Sequence, residues 1–183
     1  MVLRIPPFLH DVFGESQTIG EILAVVFFGL GLATLLFFAF PEMTQELPLW
    51  RSVIAYMLVV DIFAGCAANF TRSTNNHYAV RSKSRLVFIA VHIHLLLVAW
   101  LLDVGYWHAV VVWAYTIAGA FVVNALKGNK FQLFVAGVLL TIGITIAVLS
   151  IDAPKYFLII SLLFMVKVLF SFAVDHYGQT QVN

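Results

Sequence analysis

Cysteine occurs once, as Cys66. No disulfide can form within the chain, and cysteine says nothing about redox compartment. Charge is scarce too: Lys, Arg, Asp and Glu together make up 10% of the residues, against about 25% in a soluble domain. The net charge of +1 excludes a nucleic-acid role driven by bulk charge. There is no glycine-rich phosphate loop, no His-Glu-x-x-His motif, no Cys pair and no Gly-x-Ser-x-Gly elbow. The chemistries those motifs carry therefore have no anchor here. Internal repeats and low-complexity tracts are missing as well.

What the chain does have is apolar length. Hydrophobic residues make up 62% of it, gathered into six runs: 22–40, 52–70, 86–102, 104–126, 131–151 and 156–174. Each is about 17–23 residues, enough to cross about 30 Å of hydrocarbon at 1.5 Å per residue. The runs are apolar on all sides and lack the ten-residue alternation of a membrane barrel. Helices satisfy their own backbone hydrogen bonds, as lipid demands. The expected fold is an all-α bundle of six transmembrane helices forming a single membrane domain, 1–183. The first run leads into Ala39-Phe40-Pro41-Glu42 with no small-residue cleavage site, which reads as an uncleaved span rather than a signal peptide.

The basic residues set an expected orientation. Arg4, Arg72, Arg81, Lys83, Arg85, Lys127 and Lys130 fall on one side and only Arg51 and Lys155 on the other. The positive-inside rule then places both termini in the cytoplasm, at the plasma membrane. The third and fourth runs are divided only around Asp103-Val104-Gly105, a tight turn flanked by Tyr106 and Trp107. The segment Pro6–Phe13 puts Phe8, Leu9, Val12 and Phe13 on one helical face. It is expected to lie along the cytoplasmic interface, with docking against the bundle as the competing reading.

Four ionisable residues interrupt the apolar runs: Asp61, His92, His94 and Lys167. A charge in hydrocarbon is costly and needs a partner or a function. Asp61 lies nine residues from the cytoplasmic end of its run, His94 eight and Lys167 seven. All three therefore sit roughly 10–14 Å deep, in one layer. Polar or small stripes extend it: Asp61, Gly65, Asn69 and Arg72; Lys167, Ser171 and Asp175; Thr116, Ala120 and Asn124; Gly137, Thr141 and Thr145. Such faces pack helices closely and are expected to point inward, giving a polar seam open to the cytoplasm. His92 and His94 are about 200° apart on a continuous helix. They cannot share a site unless the helix breaks, so no metal site is expected, and His94 is favoured for the seam on depth. The loop Asn69–Tyr78, rich in amides and hydroxyls, reads either as a ligand-gripping mouth or as a solvated, capped turn.

Several functions fit this layer, and the sequence names no cofactor. One is a transporter or permease binding a small molecule or ion at Asp61, His94 and Lys167, with proton coupling and Asn69, Arg72, Asn124, Ser171 and His92 in support. A chain this short is compatible with a homo-oligomer enclosing the pathway. Another is an intramembrane enzyme acting on lipid, with a histidine base oriented by Asp61. Others are a chromophore or haem protein, with Lys167 as Schiff base or the histidines as ligands, and an accessory subunit whose Asp61–Lys167 bridge is purely structural.

Overall fold

The computed structural model describes residues 2–150 and 152–178. An antiparallel pair, β1 (Val2–Arg4) and β2 (Ser16–Thr18), brackets the short α1 (His10–Phe13). Six segments long and apolar enough to cross a membrane follow: α2 (Ile19–Ala39), α3 (Leu49–Ala68), the stretch Ser82–Leu101, α7 (Tyr106–Ala125), α8 (Gln132–Ser150), and the stretch that opens with α9 (Lys155–Met165) and runs to Phe172. This is the build of a multi-pass membrane protein. Thr18 caps α2 reciprocally with Glu21, a capping box that satisfies the first orphan amides. Between the third and fourth segments, Asp103 takes φ 54°. Val104 N–H then reaches Ala99 O at 3.0 Å, the closing bond of a Schellman turn. The division expected there is real.

The last segment is the axis of the bundle. Within the window Lys155–Phe172, 61% of residues are buried, against 22% for α2 and α8. Its α-helix ends at Met165 and continues as a π-helix over Val166–Phe172. The Lys167 carbonyl there is met by two side chains, one from its own helix and one from the residue that follows α3. Lys167 O accepts from Ser171 Oγ at 3.0 Å and from Asn69 Nδ2 at 3.4 Å.

Arg85 departs from the sequence reading. Counted there as a loop cation, it lies inside α5 (Ser82–Val91) and is 1% exposed. Its Nη2 donates to Ala173 O at 2.9 Å and Phe172 O at 3.4 Å, and its Nε donates to Asn124 Oδ1 at 3.0 Å. The guanidinium thus caps the end of the axial helix, and Gln132 Nε2 joins it on Ala173 O at 3.2 Å. Asn124 is spent on this cap. A helix end leaves carbonyls without partners, and Arg can fork to several at once.

The stripe Gly137, Thr141 and Thr145 also departs from expectation. Thr141 and Thr145 point outward and are exposed, while Ala136, Gly143 and Ala147 on α8 face inward. Each threonine hydroxyl donates to the carbonyl four residues back, at 2.9 Å. That back-bond satisfies the hydroxyl without a neighbouring helix.

Removing Arg85 should leave Phe172 O and the part-buried Asn124 Oδ1 without this donor, at about 1–3 kcal/mol each. Arg85→Ala is expected to lower stability by about 3 kcal/mol. Arg85→Lys should recover only part, because one ammonium cannot reproduce the fork. Thermal unfolding in detergent checks both.

Candidate functional site

The third segment is two helices. α5 ends at Val91 and α6 (His94–Leu101) begins at His94. His92 has φ −75° and ψ 71°, and Ile93 N–H bonds Val91 O at 2.8 Å, an inverse γ-turn. The cause is local. His92 Nδ1 is 2.5 Å from Phe88 O and takes a carbonyl the helix would otherwise use. Trp113 Nε1 donates to the freed His92 O at 2.9 Å. The expectation that His92 and His94 face apart rested on a continuous helix. With the break, their rings meet edge to face, 5.0 Å between centroids.

The layer of Asp61, His94 and Lys167 is assembled in space. Lys167 Nζ donates to Asp61 Oδ2 at 2.6 Å, and His94 Nδ1 lies 3.5 Å from the same oxygen. The Lys167 side chain is 4% exposed and that of Asp61 47%. One partner is therefore buried and the other half exposed. Gly65 makes room for the lysine stem, since a Cβ there would lie 2.4 Å from Lys167 Cε. A cavity of about 190 Å³ adjoins the pair. α3 and its C-cap contribute Asp61, Gly65 and Asn69, the helix break contributes His92 and His94, and the axial helix contributes Lys167. Phe88 and Tyr78 complete its apolar side.

Not every expected residue takes part. Ser171 acts only through Lys167 O. Arg72, expected at the mouth, is exposed and lies over the Tyr177 ring at 5.8 Å. Asp175 accepts from Gly178 N–H rather than extending the seam. Among the described residues, no cluster of three or more His, Cys, Asp or Glu could hold a metal.

The loop Asn69–Tyr78 is mostly a helix, α4 (Arg72–Ala79), N-capped by Thr71, and it docks the N-terminal segment. Thr74 Oγ1 donates to Val12 O at 3.0 Å and Tyr78 OH to Asp11 O at 3.3 Å. Arg81 Nη2 donates to Glu15 Oε1 at 2.9 Å. Gly14, at φ 68°, lies so close to Ser73 that any Cβ would collide with it. Docking, the competing reading, is what the structure shows, while Phe8 stays 80% exposed and free for an interfacial contact. Asp11 and Val12 thereby become part of the cavity wall. The shared face of Phe8, Leu9, Val12 and Phe13 leaves docking open as the alternative, but it does not foretell the polar contacts that hold it, Asp11 with Tyr78 and Glu15 with Arg81.

His77 sits at the centre of that contact. Arg81 Nη1 donates to its Nδ1 at 3.1 Å. His77 Nε2 lies 3.6 Å from Asp11 Oδ1, and Nδ1 lies 3.8 Å from Glu15 Oε1. The His10 ring stands edge-on at 5.7 Å. Burial, then the Arg81 charge, hold His77 below the ordinary imidazole value, and Arg81 holds the Glu15 carboxyl below its own.

Comparison with protein-family models, curated proteins and solved structures finds no match for this chain.

The depressed histidine fixes the sign of a pH effect. Docking favours neutral His77, so the undocked state binds more protons below about pH 6.5. Docking is therefore weakened as pH falls through that value toward the lowered one. The Glu15 contribution persists to the carboxylate range. Protection factors of residues 2–18, with amide exchange corrected for its intrinsic pH dependence, should fall between about pH 6.5 and 5, and His77→Gln should flatten the profile.

Proposed function

We propose that this chain is an integral membrane protein, inserted with its termini on the cytoplasmic side, that carries a small polar solute past the Asp61–Lys167 pair with proton exchange at Asp61. One observation carries the reading: a half-exposed carboxylate holds a buried ammonium at 2.6 Å on the wall of a cavity. An ion pair placed only for packing has no need of a cavity beside it. Ionisable groups at this depth commonly mark solute and proton paths.

The backbone supports the same reading. Carriers often place their sites where membrane helices are interrupted. Here the γ-turn at His92 and the π-helix around Lys167 are two interruptions that meet at one cavity. Protonating Asp61 would remove the counter-charge of Lys167 and free its ammonium for another partner, which couples proton and solute in one step.

The cavity argues against a large cofactor. Drug-sized ligands occupy about 300–1,000 Å³, more than the 190 Å³ beside Lys167. Retinal and haem are too big for it as it stands. A lipid-directed enzyme would have histidine bases, but no Ser, Thr or Cys is among the lining residues to serve as nucleophile.

In proteoliposomes, Asp61→Asn should reduce solute-driven proton movement at least tenfold, read with an entrapped pH dye, while the protein remains folded by circular dichroism. Proton movement unchanged by the substitution would remove Asp61 from any coupling role.

A further inference from the structure

We infer that the ligand of this cavity is a small molecule of zero net charge carrying at least one O–H or N–H donor; the inference deepens the transport reading and rests on it for the site's role. Two independent features of the lining point to this class.

The first is charge. Asp61 and Lys167 cancel at 2.6 Å. The other ionisable groups on the wall are His92, His94, Tyr78 and Asp11, and Asp11 lies at the solvent end, 78% exposed, beside His77. While the pair is formed, an ion of either sign would enter a space with no spare counter-charge. It would have to break the pair and strand one member, and an unpaired charge away from water is costly. An uncharged polar molecule meets no such barrier.

The second is an unfilled acceptor. A carbonyl can only accept, so His92 Nδ1 is the donor in its bond to Phe88 O. In a neutral imidazole the other nitrogen then bears a lone pair. That nitrogen, Nε2, is buried without a partner, on a residue 4% exposed that lines the cavity. Buried polar atoms are rarely left so. Lys167 Nζ, with three hydrogens, gives only one to Asp61. The wall thus offers a bare acceptor at His92 Nε2, a second ring nitrogen without a hydrogen bond at His94 Nδ1, and spare donors at Lys167, the complement of a hydroxyl or amide, which both donates and accepts. At about 30 Å³ per water, the volume holds about six waters or one solute of about four to six heavy atoms.

Isotope counterflow into proteoliposomes of the full chain tests this, with glycerol and urea as neutral probes, methanesulfonate as a permanent anion and tetramethylammonium as a permanent cation. Glycerol or urea should exchange at least fivefold faster than in protein-free vesicles, and neither ion should. His92→Phe should return exchange to background, and His92→Gln, which keeps a side-chain acceptor, should restore part of it. Exchange of methanesulfonate or tetramethylammonium without the neutral probes would overturn the ligand class and leave the transport reading standing. Hydrogen-exchange protection of residues 88–94 by glycerol or urea, without counterflow, would uphold the class and overturn transport. Neither exchange nor protection by any probe would overturn both.

Discussion

Lipid offers a polar group nothing to bond to, and most of the structure can be derived from that shortage. Six apolar helices close their own backbone ladders. At the end of the axial helix, in its π-helix and at the His92 break, side chains take carbonyls the ladder leaves. Arg85 and Gln132 take the carbonyls at the end of the axial helix. Ser171 and Asn69 take the Lys167 carbonyl in the π-helix. Trp113 takes the His92 carbonyl at the break. Thr141 and Thr145 bond back to their own helix. Pairing is incomplete at several buried side chains, Gln17, Asn75 and Arg85 Nη1 among them. On the cavity wall it is incomplete at His92 Nε2, and His94 Nδ1 has only its 3.5 Å approach to Asp61.

The same shortage shapes the central pair. Lys167 is sealed, and its charge is answered by one carboxylate. That carboxylate is half exposed, so the pair is anchored on one side and open on the other. Gly65 lets the lysine stem lie flat against α3, and the break at His92 turns two histidines toward the carboxylate. The pair, the glycine and the break form one arrangement, in which no element could be moved by a turn without stranding a charge.

Much of this was legible in the chain. Run length gave the six helices, and counting residues from their ends placed Asp61, His94 and Lys167 in one layer before any contact was known. The departures have physical reasons. Arg85 sits near a helix end, where a few residues decide between loop and core. The break at His92 depends on a histidine capturing the carbonyl of Phe88, a competition that hydropathy does not register. A threonine stripe does not distinguish inside from outside, because its hydroxyls bond to their own backbone. The N-terminal segment docks through scattered contacts, among them Asp11 with Tyr78 and Glu15 with Arg81, which show no periodicity.

The carrier reading depends on Asp61 exchanging protons with water while paired to Lys167. Infrared difference spectroscopy of the protein in bilayers measures that directly. Acidification should raise a protonated-carboxyl band that shifts in deuterium oxide and is missing from Asp61→Asn. A spectrum in which no such band develops before the protein unfolds, or in which the band ignores deuterium, would make Asp61–Lys167 a sealed structural bridge and contradict a carrier built around it.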